Sequence, residues 1–149
     1  MTIKESLLQQ CEAFINNRLS TVENTIKEIQ NALTTETKSS AGDKHETGRA
    51  MLQLEREKAG NQLAEIQKVK KTLSKIDLDK PSNKIGIGSL VFTSQANYFI
   101  TISAGELKFE NKLFYAISAY TPIGKLLISK KVGDTVEFKD NSIHIMKIL

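Results

Sequence analysis

Asp43 and Glu46 are the two residues of this 149-residue chain whose types and spacing best suit chemistry. They stand three positions apart at the start of a helical pattern, so their carboxylates share one helix face. Carboxylate oxygens suit Mg²⁺, but this ion wants octahedral geometry and keeps several waters, so a partner must supply the other ligands. The same spacing also predicts a capping box, with Asp43 as the N-cap and Glu46 at the third helical position. Both interpretations stay open, since a capping aspartate still presents a free oxygen.

Other side chains that carry chemistry are sparse. Cys11 is the only cysteine, and His45 and His144 are the only histidines. A single cysteine excludes a disulfide framework or a cysteine zinc cluster within this chain, and its helical setting favours a small buried apolar residue. Two histidines leave most nucleophile–base and histidine–metal schemes without their parts. We therefore expect no catalytic residue of its own and no cofactor bound by this chain alone.

Charge is nearly balanced along the chain. The net charge is +4, of which residues 81–149 carry +3, from 8 basic and 5 acidic side chains. This bias is too weak to predict sequence-specific DNA binding. Lys38, Lys44 and Arg49 lie near the carboxylate pair, either as a solvated mixed-charge surface or as a steering patch for an anionic target such as nucleic acid. With no apolar run near the roughly 20 residues of a membrane span and no signal-peptide pattern, we expect a cytoplasmic protein without membrane contact.

The first half of the chain has the period of a coiled coil. From Ile15 to Leu33 the apolar residues are spaced by 4, 3, 4, 3 and 4 positions, and Thr2–Glu5 offers a capping box for this helix. A second helical pattern runs from about Lys44 to Ile76, after a turn signal at Thr37–Asp43. Each arm has roughly 35 residues and should be about 50 Å long.

The two helical patterns mirror each other. Each apolar residue of the first has a counterpart in the second such that the two position numbers sum to 84 or 85, as two helices folded back on each other require. The pairs are Leu33 with Leu52, Ile26 with Ala59, Val22 with Leu63, Leu19 with Ile66, Ile15 with Val69, and Leu8 with Ile76. Ile29 is the exception, because it would face Glu55 or Arg56. The pairing predicts an antiparallel coiled-coil hairpin that folds back near residue 42 or 43.

The second half has the patterns of short strands. Five runs predict strands, namely Ser89–Ser94, Tyr98–Ser103, Phe114–Tyr120, Thr135–Phe138 and Ser142–Leu149. Pro122–Ser129 predicts one short helix, with proline in its first turn. The predicted fold class is α+β: a coiled-coil hairpin over residues 1–79, a linker over 80–84, and a small antiparallel β-sheet domain with one helix over 85–149.

Two segments resemble the Gre family of bacterial transcript-cleavage factors. Ala41–Glu46 has the Asp-x-x-Glu spacing of that family at the hairpin end. Tyr120–Lys130, followed by Val132–Glu137, resembles its Ser-Pro-hydrophobic stretch, its Leu-hydrophobic-Gly-Lys run and the Gly-Asp before the next strand. The order and length of the two parts agree as well, so the resemblance covers essentially the whole chain.

The resemblance implies a function in transcription elongation. It implies an FKBP-like β domain that docks at the rim of the secondary channel of RNA polymerase, with Thr121 and Pro122 at the contact, and a hairpin that reaches the active centre. There Asp43 and Glu46 would help to hold an Mg²⁺ shared with the polymerase, which itself cleaves backtracked RNA. The chain would then be a monomeric accessory factor that meets the nascent RNA only indirectly. Thr121 and Pro122 also predict a simple strand-to-helix turn with a threonine cap.

The sequence departs from the family around both motifs. Lys44, His45 and the stretch Thr47–Arg49 replace the usual residues beside the carboxylates, Thr121 replaces a serine, and Ser129 replaces a glycine. A more basic tip weakens metal capture, so a factor that enters the same channel but modulates or inhibits without cleavage is an alternative. A coiled-coil adaptor unrelated to polymerase is another, and a self-contained hydrolase is more distant.

Overall fold

Two long helices, six strands and one short helix make up the described part of the chain. The computed structural model describes residues 1–38, 43–80 and 82–149, with the side chains of 36–38 and 43–46 left out. The elements are α1 (Ile3–Lys38), α2 (Asp43–Ser74), β1 (Leu90–Thr93), β2 (Asn97–Ile100), β3 (Gly105–Phe109), β4 (Lys112–Ile117), α3 (Pro122–Leu127), β5 (Thr135–Phe138) and β6 (Asn141–Ile148). They form two compact units, one of Ile15–Lys71 and one that joins Met1–Phe14 to Thr72–Leu149. The predicted boundaries at residues 79 and 85 stay a prediction.

The start of α1 carries the predicted capping box. The backbone N–H of Glu5 donates to Thr2 Oγ1 at 3.2 Å, and the backbone N–H of Thr2 donates to Glu5 Oε2 at 3.2 Å. Two of the amide groups that a helix start leaves without partners are satisfied in this reciprocal way. The prediction is confirmed, and the helix begins where its sequence signal stands.

The unit of Ile15–Lys71 is the predicted helical hairpin. Ile15 and Ile29 of α1 and Ala59 and Ile66 of α2 are buried, with 2–6% of their surface exposed. The other predicted pair members of this unit are half-buried: Leu19, Val22, Ile26, Leu33, Leu52, Leu63 and Val69. Since the described residues of this unit belong to the two helices, these side chains face between them, and the seven-residue repeat is the reason for their pairing.

Arg56 occupies the seam position for which the sequence offered no apolar residue. Ile29 is buried all the same, with 6% exposed. Arg56 is half-buried, and its Nε has no hydrogen-bond partner among the described residues. Its guanidinium lies over a glycine, since a Cβ built on Gly60 would be 3.0 Å from Arg56 Nη1. The packing between the two helices thus continues at Ile29, but the residue opposite it is the polar Arg56.

The second unit contains a mixed sheet with the strand order β3-β4-β2-β1-β6-β5. The predicted all-antiparallel sheet is wrong at one position, because β2 and β4 are parallel. After β2 the chain places β3 beyond β4, and the tight β3–β4 hairpin returns β4 alongside β2 in the same direction. Glu110 and Asn111 make that turn with φ of 48° and 65°, the conformation that two-residue hairpins favour.

Strand β3 was missed by the sequence pattern. Gly105 indicates a break, but it lies at the start of the strand with φ of 76°, where glycine costs least. Leu107 is the buried residue of β3, with 5% of its surface exposed. A single strongly buried position gives too little alternation for a strand to be recognised.

Each face of the sheet has its own core. On one face, a cluster packs beneath α3, formed by Ile85, Val91, Ile100, Leu127, Val136, Ile143 and Ile145. On the other face, Leu90, Phe99 and Phe114 have no exposed surface, and Phe92 meets Phe114 edge to face at 5.8 Å between ring centroids. The antiparallel register, which pairs Leu90 with Phe99, puts these residues on one side.

The first turns of α1 belong to the same unit and are tied to the sheet. Leu7 and Cys11 are fully buried, and Cys11 Sγ lies 3.6 Å from Thr101 Oγ1. Burial raises the pKa of the Cys11 thiol, which the Thr101 hydrogen bond opposes. Gln10 donates through Nε2 to Lys108 O at 2.8 Å and accepts at Oε1 from Lys108 N at 3.2 Å. The buried, unreactive role predicted for Cys11 agrees with these contacts.

Replacing Arg56 by leucine should stabilise the protein. A buried donor without a partner costs about 1–3 kcal/mol, and leucine restores an apolar seam residue. We expect Arg56→Leu to raise the free energy of unfolding by about 1 kcal/mol or more, measured by urea denaturation. Lys58→Leu, at an exposed position of the same helix, is the control and should change it by less than about 0.5 kcal/mol. Equal effects of the two substitutions would contradict the assigned cost of the buried guanidinium.

Candidate partner-binding site

The backbone of Asp43 and Glu46 lies in the first turn of α2, whose first residue is Asp43. Their side chains lie outside the described residues, so the predicted metal ligands and the predicted capping box at this position stay predictions. Over the part of the chain whose side chains are described, no group of three or more His, Cys, Asp and Glu residues is arranged to hold a metal ion.

Thr121 caps the short helix α3. Its backbone is extended, with φ of −71° and ψ of 157°, and its Oγ1 accepts from the backbone N–H of Gly124 at 3.2 Å. The same hydroxyl donates to Ser118 O at 2.7 Å. The predicted threonine cap is therefore confirmed. Because both bonds are internal, a partner contact through Thr121 has to use the remaining lone pair of this half-buried oxygen.

Pro122 and Gly124 fix the backbone behind the cap. Pro122 is the first helical residue, where its missing N–H costs nothing. A Cβ on Gly124 would lie 2.2 Å from Ser118 O and 2.8 Å from Thr121 Oγ1, so only glycine fits. Ser129, after the end of α3, has φ of 69°. Ser129 thus adopts the left-handed backbone conformation that glycine favours.

The turn into α3 holds Tyr120 out in solvent. Tyr120 is 81% exposed, although its backbone N–H is bound to Ser118 Oγ at 3.1 Å. Pro122 is exposed beside it. A large aromatic side chain presented on a turn with this many backbone constraints is typical of a contact surface, since tyrosine gives large contact area at a small loss of conformational freedom.

Beside Tyr120 lies an open cavity of about 420 Å³ that the sequence did not predict. Its lining residues are Gly86, Ile87, Ala119, Tyr120, Lys125 and Ile128. Ile87 is 54% exposed, an unusual fraction for an isoleucine in a β domain. In the sequence Ile87 is indistinguishable from a core residue, so only the fold brings it next to Tyr120.

Comparisons with known proteins give a structural likeness and no sequence family. No protein-family model matches the chain, and no curated protein matches it significantly. Among solved structures the chain is similar to the transcription factor Gfh1, with 17% identity over 90% of each chain and a TM-score of 0.35. A likeness of this size does not decide what the chain does. Within the described residues, no helix is long and apolar enough to cross a membrane.

Removing the Thr121 hydroxyl should weaken α3. Loss of an N-cap typically costs about 1 kcal/mol. We expect Thr121→Ala to lower the free energy of unfolding by about this amount, whereas Thr121→Ser keeps most of it, as measured by urea denaturation. If the alanine and serine variants were equally stable, the cap would contribute nothing.

Gly124 should tolerate no side chain. The added Cβ of Gly124→Ala meets the Ser118 carbonyl oxygen, and the backbone must shift, which typically costs about 1–3 kcal/mol. Gly86→Ala is the matched control, because nothing lies within 4 Å of its added Cβ. Thermal unfolding should therefore show a lower midpoint for Gly124→Ala only, and an equal loss in both variants would contradict the packing argument.

Proposed function

We propose that this protein is a Gre-like accessory factor of RNA polymerase. Its hairpin enters the secondary channel, and the polymerase then cleaves backtracked RNA at its own active centre. The observation that carries the proposal is the position of the carboxylate pair. α1 ends at Lys38 and α2 begins at Asp43, so Asp43 and Glu46 stand in the first helical turn after the fold-back.

The donor set at this position fits a shared Mg²⁺. Asp43 and Glu46 offer carboxylate oxygens from one face of the same helix, and the ion accepts such ligands. Two carboxylates leave most of the octahedron to waters and to a partner, which agrees with a metal held mainly by the polymerase. When bound, such an ion stabilises negative charge on the attacking and leaving oxygens of a phosphoryl transfer. This chain's part is to supply two ligands and hold them at the end of a stiff pair of helices.

The β domain supplies the docking surface in this proposal. The turn around Thr121 presents Tyr120 and Pro122 to solvent on a backbone fixed by the Thr121 cap and by Gly124. A surface fixed before binding loses less conformational entropy on association. In this proposal Tyr120 and Pro122 provide the exposed contact area, and Thr121 positions them.

A factor that enters the channel without stimulating cleavage is the second candidate. Lys44 and His45 directly follow Asp43, and Arg49 comes one turn after Glu46. Positive charge next to the carboxylates competes with a cation for them. In that case the protein binds the polymerase and modulates its activity without stimulating RNA cleavage, and the carboxylate pair only caps the helix.

Cleavage in stalled, backtracked elongation complexes distinguishes the two candidates. Asp43→Asn/Glu46→Gln keeps side-chain size and removes both charges. If the pair positions the metal, the unaltered protein should accelerate RNA cleavage and the double variant should reduce the rate by about tenfold or more while still binding the polymerase.

The matched control removes the same charge elsewhere on the helix. Glu55→Gln/Glu57→Gln alters two exposed carboxylates of α2 and should leave cleavage unchanged. If the unaltered protein binds polymerase but accelerates no cleavage, the modulator is correct. If it does not bind polymerase at all, both candidates are wrong, and a coiled-coil adaptor is favoured.

A further inference from the structure

Two cavities meet at Ile87. The first, described above, extends from Ile87 to Tyr120 and Lys125. The second, of about 430 Å³, extends from Ile87 in the other direction and is lined by Thr72, Lys75, Ile76, Asp77 and Lys80. All of these residues belong to the same compact unit. We call the two cavities that share Ile87 the Ile87 groove; its lining residues come from the end of α2, the following segment and the turn before α3.

The backbone conformation of the residues before and after Ile87 keeps its side chain exposed. Gly86 N donates to Ser89 Oγ at 3.0 Å, and Ser89 N donates to Gly86 O at 3.1 Å, which closes a tight turn. Gly88 has φ of 92° and donates its N–H to Ile100 O at 2.7 Å. A Cβ on Gly88 would come within 3.2 Å of Ile76 Cγ2. Ile87 is thus held in solvent by a turn that needs glycine after it.

The floor of the groove is aliphatic. Ile76, Ile87 and Ile128 line it together with Ala119, and Ile76 and Ile128 are half-buried. Tyr120 is the single aromatic residue among its lining residues, at one end. Single-stranded nucleic acids are held by aromatic side chains on which successive bases stack. An aliphatic floor instead suits leucine-like side chains of a protein segment.

The rim of the groove is mainly basic. Lys75, Lys80 and Lys125 line it, and none of them makes an ion pair with the other described residues. The single acidic lining residue, Asp77, is already engaged: its Oδ1 accepts from Asp79 N at 3.0 Å. Asp77 also acts on the half-buried Lys4, whose pKa is lowered by burial while Asp79 and Asp77 oppose the shift. The groove thus presents three lysines against one aspartate, a net positive charge, around an apolar floor.

We infer that the Ile87 groove binds an acidic, amphipathic segment of a partner protein, with an aliphatic anchor against Ile87 and carboxylates facing the three lysines. Apolar contacts at the centre and charged contacts at the rim are the usual division of an interface. The groove lies next to the Tyr120 surface, so one partner can cover both. The inference rests on the proposed function only for the owner of that segment, which would be the polymerase.

The groove is tested with synthetic peptides and the full-length protein. The probe is an amphipathic peptide with leucines on one face and glutamates on the other, and its match has lysines in place of the glutamates. In NMR titrations of the isotope-labelled protein, the acidic peptide should shift the amide signals of Ile87, Tyr120 and Lys125. Lys75→Glu/Lys80→Glu/Lys125→Glu should weaken its binding by about tenfold or more, and added salt should weaken it as well.

Matched variants distinguish binding at the groove from the effects of overall net charge and of any exposed aliphatic residue. Lys58→Glu/Lys70→Glu/Lys112→Glu makes the same change of net charge at exposed positions and should leave binding within about twofold. Ile87→Ser should weaken binding, while Leu113→Ser should not, although Leu113 is also an exposed aliphatic residue at 42%.

Three results would overturn the inference. These are no shifts at the groove, equal binding of the acidic and the basic peptides, or tighter binding there of a single-stranded RNA oligomer than of the acidic peptide. Binding of the unaltered protein to bacterial core RNA polymerase is measured separately. If the peptide binds the groove and polymerase does not bind the protein, the proposed function fails while the groove inference holds. If polymerase binds and the peptide results are negative, the reverse is true.

Discussion

The attachment of the first helical turns to the sheet is the constraint on which the second unit depends. Gln10 makes two hydrogen bonds to the backbone of Lys108 and so acts as a partner residue for the edge strand β3. An unpaired edge invites pairing with another chain, and such a side chain occupies part of it. The next residue, Cys11, is buried against Thr101. Residues near the N-terminus therefore contact both the edge strand β3, through Gln10, and the segment after β2, through Cys11.

The same unit shows how a contact surface is made from glycine, proline and threonine. Thr121 and Pro122 begin α3, and Gly124 allows the close approach of the Ser118 carbonyl. The turn through Gly86 and Gly88 exposes Ile87 in a comparable way. Both place side chains in solvent that line one cavity, Ile87 and Tyr120, and contiguous exposed apolar surface is typical of interaction sites.

The sequence allowed the prediction of features that depend on local spacing. The seven-residue repeat from Ile15 to Leu33 specifies a helix seam, and Thr2 with Glu5 specifies a cap, because both act within a few turns of one helix. The parallel pairing of β2 with β4 was not predictable, since it depends on long-range contacts that local residue spacing does not specify. Gly105 indicated a break where a strand begins, because a positive φ is as useful at the start of a strand as in a loop.

The residues of the candidate site also fall into two groups, those that the sequence pattern indicated and those that only the fold brings together. Asp43 and Glu46 were recognisable by spacing, and Thr121 and Pro122 by their turn chemistry. Ile87 and Lys75 were not, because an exposed isoleucine and a surface lysine look like any others until the fold brings them together. Arg56 broke the seam pattern in the sequence, and the structure shows that a long polar side chain can still fill an apolar position when a glycine lies beneath it.

The contact between Cys11 and Thr101 also has a consequence for synthesis. The two residues are 90 positions apart, so the helical turn that carries Cys11 leaves the ribosome long before its binding surface exists. At about 5–20 residues per second, the delay is roughly 5 to 20 seconds. Helix formation takes about a microsecond and does not limit this delay, during which the side chains of Leu7 and Cys11 lack their partners in the sheet. Until the sheet forms and buries these two side chains, the nascent chain exposes a short hydrophobic surface that chaperones can bind.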